Sequence, residues 1–110
     1  MKKYQSIDEV LGPISNVLLT SEEEQLLLTA VKEKGAECEE MDKLIQYNLR
    51  FIVSLANQYK HKGVDLMDLV WTTQNAFADA ALQYTPSAET TFLKFAVQLS
   101  REKLSNCCRP

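Results

Sequence analysis

Residues 43–69 read KLIQYNLRFIVSLANQYKHKGVDLMDL, and the prediction of the fold starts from this stretch. Its apolar residues recur at the i, i+3, i+4 and i+7 spacing of a helix with one buried face. The acidic run 37–42 precedes it, and carboxylates suit the positive end of a helix. We therefore predict one long helix that buries a single stripe. The stripe consists of Leu44, Ile45, Leu49, Ile52, Val53, Ala56 and Tyr59.

A glycine is predicted to end this long helix. Gly63 stands where a helix C-terminus needs a residue with left-handed backbone. Asp65 is then a suitable N-cap for the next helix, and Asp68 at the third helical position meets its unpartnered backbone N–H groups. Because so few residues separate the two helices, they must pack against each other.

Three further main helices are predicted from capping signals and spacing. Thr20 and Glu23 form a capping box that opens a helix ending at Gly35. The helix after Gly63 spans 65–84, and the last helix spans 91–105. The predicted inward-facing residues are Leu26, Leu27, Ala30 and Val31 in the first of these, Leu66, Leu69, Val70, Phe77, Ala80, Ala81 and Tyr84 in the second, and Phe92, Phe95, Ala96, Leu99 and Lys103 in the last.

The predicted fold class is all-α, a compact bundle of about four main helices with short connections. No segment alternates with period two for long, so strands are not expected. The chain divides into a short helix and turn at 1–19, a helical domain at 20–106 and a tail at 107–110. Ile7, Val10 and Leu11 form the apolar side of the short helix, which Gly12 and Pro13 end.

Composition favours a cytoplasmic domain. The 110 residues are 45% hydrophobic with a net charge of −3, and the cysteines number three. An odd cysteine count, no apolar N-terminal segment and no long apolar run predict a reduced setting and no membrane partner. Adjacent Cys107 and Cys108 lack the Cys-x-x-Cys spacing, and His61 is the only histidine. We therefore expect no metal and no other cofactor.

Charge is segregated along the chain, although the total is acidic. Residues 20–42 carry eight acids and two bases, whereas residues 43–62 carry four bases and no acid. This pattern allows local basic patches on an acidic protein, and ordinary solvated helix faces explain it equally well. A phosphate loop and a nucleophile–base set are both lacking in the sequence. Asp65 and Asp68 lie one turn apart, but helix capping explains this pair better than catalysis, so we expect a binding module and not an enzyme.

The motifs of the central stretch resemble region 2 of the sigma-70 family, the bacterial RNA polymerase initiation subunits. They are NLR at 48–50, VSLA at 53–56, Tyr59 and GVDLMDLV at 63–70, and LTSEEEQLL at 19–27 resembles the end of the family's region 1.2. The resemblance runs from about residue 18 to about residue 104 without a gap. It implies an all-α domain that docks on the clamp helices of the polymerase β′ subunit, followed by a helix that opens the promoter −10 element. It also implies that this sequence lacks regions 3 and 4, so that it is incomplete as a stand-alone initiation factor.

The resemblance assigns a polymerase-binding surface to the helix 65–84. Met67, Asp68 and Leu69 match the family in kind. The family continues with a polar Gln-Glu-Gly-Asn run, where this chain has WTTQ at 71–74, and an exposed methionine of the family is replaced by Ala78. An exposed tryptophan is a possible binding hot spot, and partial burial in a neighbouring groove is the equal alternative. The implied polymerase-binding residues are Met67, Asp68, Leu69, Trp71, Thr72, Gln74 and Ala78.

The resemblance also assigns a weak DNA-binding surface to the last helix. FLKFA at 92–96 resembles the family's Phe-Ser-Thr-Tyr-Ala run, so Phe95 takes the place of a base-stacking tyrosine. The family's two tryptophans are Gln98 and Leu99 here, and Arg101 is retained. Losing two stacking rings, at about 1–3 kcal/mol each, predicts weak or absent promoter melting. The implied DNA-binding residues are Lys94, Phe95, Gln98, Arg101 and Lys103.

Three hypotheses follow from these residues. The first is a sigma region 2-like protein that binds core RNA polymerase, with promoter −10 DNA as a weak partner. The alternative is a helical protein–protein interaction or homodimerisation module that kept the sigma scaffold without sigma activity. A true promoter-opening factor ranks below both, because the stacking residues are replaced.

Overall fold

The computed structural model describes residues 3–12, 19–60, 63–85 and 89–107, and within these ranges it contains six α-helices and no strand. The predicted all-α fold class is confirmed. None of the helices in these ranges is long and apolar enough to cross a membrane. The predictions for Pro13, Cys108 and the side chains of Ile7 and Leu11 lie outside the described residues. The helices are α1 (Ile7–Leu11), α2 (Ser21–Lys34), α3 (Glu39–Tyr47), α4 (Leu49–Tyr59), α5 (Leu66–Gln83) and α6 (Phe92–Cys107).

The prediction of one long helix through 43–59 is wrong, because the chain breaks at Asn48 between α3 and α4. Asn48 Nδ2 donates to the Leu44 carbonyl at 2.7 Å, and the Asn48 backbone N–H donates to the Ile45 carbonyl at 3.0 Å. In a continuous helix the Leu44 carbonyl would accept the Asn48 N–H, so the side chain has taken that place. With φ −104° and ψ 4°, Asn48 lies in the sparsely populated bridge region. The new helix starts where the Ile52 N–H donates to the Asn48 carbonyl.

The predicted caps at Thr20 and Asp65 are confirmed, whereas α4 ends at Tyr59, before the glycine that was predicted to end it. Thr20 Oγ1 accepts from the Glu23 N–H and Glu23 Oε1 accepts from the Thr20 N–H, both at 3.1 Å, which completes the capping box. Gly63 has φ 85°, in the left-handed region that favours glycine. Asp65 Oδ1 then accepts from the Met67 N–H at 2.8 Å and caps α5.

The hairpin between α2 and α3 turns at Gly35. Its φ of 89° would strain any residue with a Cβ atom. Lys34 and Glu40 form an ion pair across the turn. Their hydrogen bond raises the pKa of Lys34 and lowers the pKa of Glu40. α2 and α3 therefore pack side by side.

The central helix of the bundle is α5, which contacts α2, α3, α4 and α6. Such a helix is buried on nearly all sides, and its alanines let neighbouring backbones approach closely. Thr73 is fully buried, and its hydroxyl donates to the Leu69 carbonyl at 2.8 Å. The buried residues of α5 are Leu69, Val70, Thr73, Gln74, Ala76, Phe77, Ala78, Ala80 and Ala81.

Aromatic rings join α5 to α6. Phe77 and Phe92 meet edge to face with ring centroids 6.3 Å apart, and Tyr84 meets Phe92 at 5.9 Å. The Tyr84 hydroxyl donates to the Thr90 carbonyl at 2.7 Å, so its polar end has a partner. These contacts fix the start of α6 against the end of α5.

The predicted inward stripe of α2 is wrong at Leu26, which is 71% exposed. Leu28 and Val31 are the buried residues of α2, and Leu27 and Ala30 are half-buried. α2 packs against both α3 and α5, so the buried face of α2 is centred on Leu28 and Val31 and does not include Leu26. Leu26 is therefore left on the outside of the bundle.

The N-terminal segment packs onto the domain. Tyr4 and Val10 are buried members of the same core as the other helices. Burial, followed by the charges of Asp42 and Glu9, raises the pKa of the Tyr4 phenol above its ordinary value of 10.0. Tyr4 and Val10 of the segment assigned to 1–19 thus contribute to the core of the helical domain.

Candidate functional site

The outer face of α5 carries four of the residues that the sequence assigned to polymerase binding. The term "outer face of α5" refers to five residues that recur at helical spacing, Met67, Asp68, Trp71, Thr72 and Asn75. Asp68 is exposed, and the other four side chains are half-buried. The Asp65 cap and Gly63 set where this face begins, directly after the turn.

Trp71 is half-buried, so of the two alternatives for this side chain the structure adopts partial burial. The Lys3 ammonium nitrogen lies over its indole ring, 5.3 Å from the centroid. A cation at this distance is attracted by the negative face of the ring. The start of the chain therefore covers part of the outer face of α5.

Three residues of the predicted polymerase-binding set lie in the core. Leu69 is fully buried, and the exposed fractions of Gln74 and Ala78 are 1% and 4%. The resemblance placed Ala78 at an exposed position of the polymerase-binding surface, and the structure corrects this. The physical reason is that neighbouring helices pack around α5 beyond its first turns. A partner at the outer face of α5 does not reach these three side chains in this structure.

Asn75 belongs to the outer face of α5 but was missed by the sequence analysis. Its Nδ2 donates to the Trp71 carbonyl at 2.8 Å, four residues earlier. The signal was present in the sequence, because Asn75 follows Asp68 by seven residues and Trp71 by four.

The predicted DNA-binding residues do not form one surface. Lys94, Gln98 and Arg101 are exposed and lie on one face of α6 at i, i+4 and i+7. Phe95 is half-buried beside this face, and its ring contacts the Tyr84 ring with centroids 5.9 Å apart. The stacking position is thus partly occupied by the protein's own packing.

Lys103 points away from the exposed face of α6. Its ammonium group pairs with the Asp79 carboxylate of α5. Lys103 lies nine residues after Lys94, half a helical turn out of phase with it. This ion pair joins the two helices and neutralises one of the predicted DNA-binding cations.

No protein-family model, curated protein or solved structure matches this chain. The resemblance to sigma region 2 therefore rests on the sequence motifs quoted above.

A second surface of interest lies between α2 and α3, and the sequence analysis did not identify it. A groove of about 420 Å³ is lined by Leu19, Leu26, Leu27 and Tyr47, with Glu23, Lys43 and Gln46 among its polar residues. A depression of about 220 Å³ adjoins it, since Leu19 and Tyr47 line both. We call the two together the α2–α3 groove. The signal missed in the sequence was the run of three leucines at 26–28, which is too broad for a single buried stripe.

The arrangement of these residues suits binding through side-chain contacts. In the described part of the chain, no three side chains of the His, Cys, Asp and Glu types come together as a metal site. Within the described ranges, the outer face of α5 and the α2–α3 groove both combine apolar and charged groups.

Proposed function

We propose that this chain is a sigma-70 region 2-like transcription protein that binds core RNA polymerase and affects transcription initiation. The contact would be made with the β′ clamp helices through the outer face of α5. The observation that carries the proposal is the motif GVDLMDLV at 63–70. Its glycine and its aspartate cap lead directly into that face.

The composition of the outer face of α5 supports a protein partner. It combines an exposed carboxylate, Asp68, with the apolar surface of Met67 and the ring of Trp71. Tryptophan is enriched among residues that dominate binding energy, and a nearby charge gives orientation and specificity. Both groups lie within the first turns of α5, so one partner helix can contact them together.

Weak or absent promoter melting is the second half of the proposal. Strand capture needs aromatic stacking and phosphate contacts. The exposed face of α6 offers the cations Lys94 and Arg101, while Phe95 is half-buried and Lys103 is paired with Asp79. These groups favour loose contact with DNA over stable opening.

The decisive experiment is a pull-down with purified core RNA polymerase and with an isolated β′ clamp-helix fragment. We expect core polymerase and the clamp-helix fragment each to bind the wild type. Asp68→Asn should weaken this binding, and Trp71→Ala should weaken it by about tenfold or more. Glu33→Gln is the matched charge control, because Glu33 is an exposed carboxylate on α2. No binding by the wild type would reject the proposal.

The alternative function is a protein–protein interaction or homodimerisation module without sigma activity. The observation that favours an interaction module is the 71% exposure of Leu26, an apolar side chain on α2 that a partner at the outer face of α5 would leave uncovered. Light scattering separates the homodimer from the first proposal. A stable dimer in which Trp71 becomes inaccessible supports the module, and a monomer that binds polymerase argues against it.

A further inference from the structure

The α2–α3 groove has an apolar floor that is open to water. Its apolar lining comes from Leu19, which precedes α2, and from α2, α3, α4 and α6, and Leu26 at its rim is 71% exposed. Of the large apolar side chains in the described ranges, Leu26 is the most exposed, and Leu82 follows with 38%. Exposed apolar surface of this kind commonly marks a binding site. The lining residues are Leu19, Leu26, Leu27, Tyr47, Phe51 and Leu93.

One carboxylate in this groove lacks a partner among the described residues. Glu24 lines the smaller depression together with Tyr47 and Phe51, and it is half-buried. Burial raises the pKa of Glu24 above its ordinary value of 4.5, with no contribution from a hydrogen bond. Placing a charge in such surroundings is costly unless an opposite charge joins it. The site therefore suits a cation, and aromatic rings beside it add to that preference.

The charges around the groove also favour a basic partner. Glu22, Glu23 and Glu24 follow one another in the first turn of α2, whereas Lys43 is the base that lines the groove. Opposite potentials on two surfaces steer their encounter and fix their register.

A second copy of this chain is a poor occupant. Leu26 shares its face of α2 with Glu22 and Glu33, which lie four residues before it and seven residues after it. Two copies that met through this face would bring carboxylates of the same sign together, which costs free energy. A basic helix meets no such repulsion.

We propose that the α2–α3 groove is a docking site for a basic amphipathic helix of a partner protein. Its apolar residues cover Leu26 and Leu27, and a Lys or Arg side chain inserts beside Glu24. Helices bind grooves in this way through side chains at i, i+3, i+4 and i+7. None of the described residues that line this groove belongs to α5, so the proposal does not depend on polymerase binding by α5.

The test uses two synthetic peptides and the full chain. The probe is a fluorescently labelled helical peptide with Leu at every third or fourth position and Lys between, and the control peptide has Glu in place of each Lys. Fluorescence anisotropy should show binding of the Lys peptide, weakened by added salt, and much weaker binding of the Glu peptide.

Matched variants locate the site. Glu24→Gln and Leu26→Ser are expected to weaken binding about tenfold. Glu102→Gln and Leu82→Ser make the same chemical changes at exposed positions outside the groove and should leave binding within about twofold. Thermal unfolding by circular dichroism should show that all four variants are folded.

Two results would overturn the proposal. One is equal weakening by Glu24→Gln and Glu102→Gln, which would mean that the peptide responds only to net charge. The other is concentration-dependent self-association in light scattering that Leu26→Ser abolishes, which would make a second copy the occupant.

Discussion

The ammonium nitrogen of Lys3 lies 5.3 Å from the centroid of the Trp71 ring, so the start of the chain covers part of the outer face of α5. The next residue, Tyr4, is buried in the core and anchors this segment. A partner that binds Trp71 must therefore displace Lys3 or bind around it.

Replacing Lys3 by Gln should make Trp71 more accessible. Trp71 is the only tryptophan, so its fluorescence reports on this contact directly. We expect stronger acrylamide quenching in Lys3→Gln and quenching close to wild type in Lys3→Arg, because arginine keeps the cation. Lys3→Gln should lower the free energy of unfolding by about 0.5–1 kcal/mol, the contribution of an exposed cation–π contact. Unchanged quenching in Lys3→Gln would show that Lys3 does not cover the ring in solution.

Replacing Asn48 by Ala should destabilise the junction between α3 and α4. The Leu44 carbonyl loses the donor at 2.7 Å in a buried position, and such a loss costs about 1–3 kcal/mol. Urea unfolding followed by circular dichroism measures the difference. Asn57→Ala on the exposed side of α4 is the control, with an expected change within about 0.5 kcal/mol. Equal effects at both positions would contradict a special role for Asn48.

Truncation to alanine should lower the free energy of unfolding strongly at Leu69 and hardly at all at Leu26. Leu69 is fully buried at the centre of the bundle, so Leu69→Ala is expected to cost about 2–5 kcal/mol. Leu26→Ala should change the free energy of unfolding by less than about 0.5 kcal/mol, because the side chain is 71% exposed. Chemical unfolding of the two variants checks this. A large loss in Leu26→Ala would mean that Leu26 is buried in solution.

Glu24→Gln should stabilise the protein near neutral pH. Burial raises the folded-state pKa of Glu24 above its ordinary 4.5, so the folded protein holds this proton more tightly than the unfolded chain. The stabilisation linked to that proton is present below the unfolded pKa and is lost as pH rises through the folded pKa. At pH 7 the wild type therefore carries a cost that the glutamine variant lacks. The free energy of unfolding should be measured for both proteins at pH 7 and at about pH 4, and the gain of Glu24→Gln over the wild type should be smaller at the lower pH. A gain of the same size at both pH values would contradict a raised pKa of Glu24.

Gln98→Trp should strengthen binding to single-stranded DNA. Gln98 is exposed between Lys94 and Arg101 on one face of α6, where a new ring can stack on a base. Each stacked base is worth about 1–3 kcal/mol. Anisotropy with a labelled −10 strand measures the gain. Gln83→Trp, on an exposed position at the end of α5, is the control and should give little gain.

The fold class and the starts of α2 and α5 follow from the sequence alone. Thr20, Glu23 and Asp65 act on backbone groups within a few residues of themselves, so their spacing alone predicts these starts. The break at Asn48 was also local, but periodicity concealed it. The apolar stripe continues in phase across Asn48, whereas the break depends on which donor reaches the Leu44 carbonyl.

Tertiary packing alone decided which helix is central and which side chains remain accessible. Gln74 and Ala78 lie three and seven residues after Trp71 on α5, yet they are buried while Trp71 is half-buried. The spacing of a helix is the same whether or not a neighbour covers it, so sequence could not distinguish these positions. The exposure of Leu26 and the pairing of Lys103 with Asp79 have the same origin, because each depends on where a second helix lies.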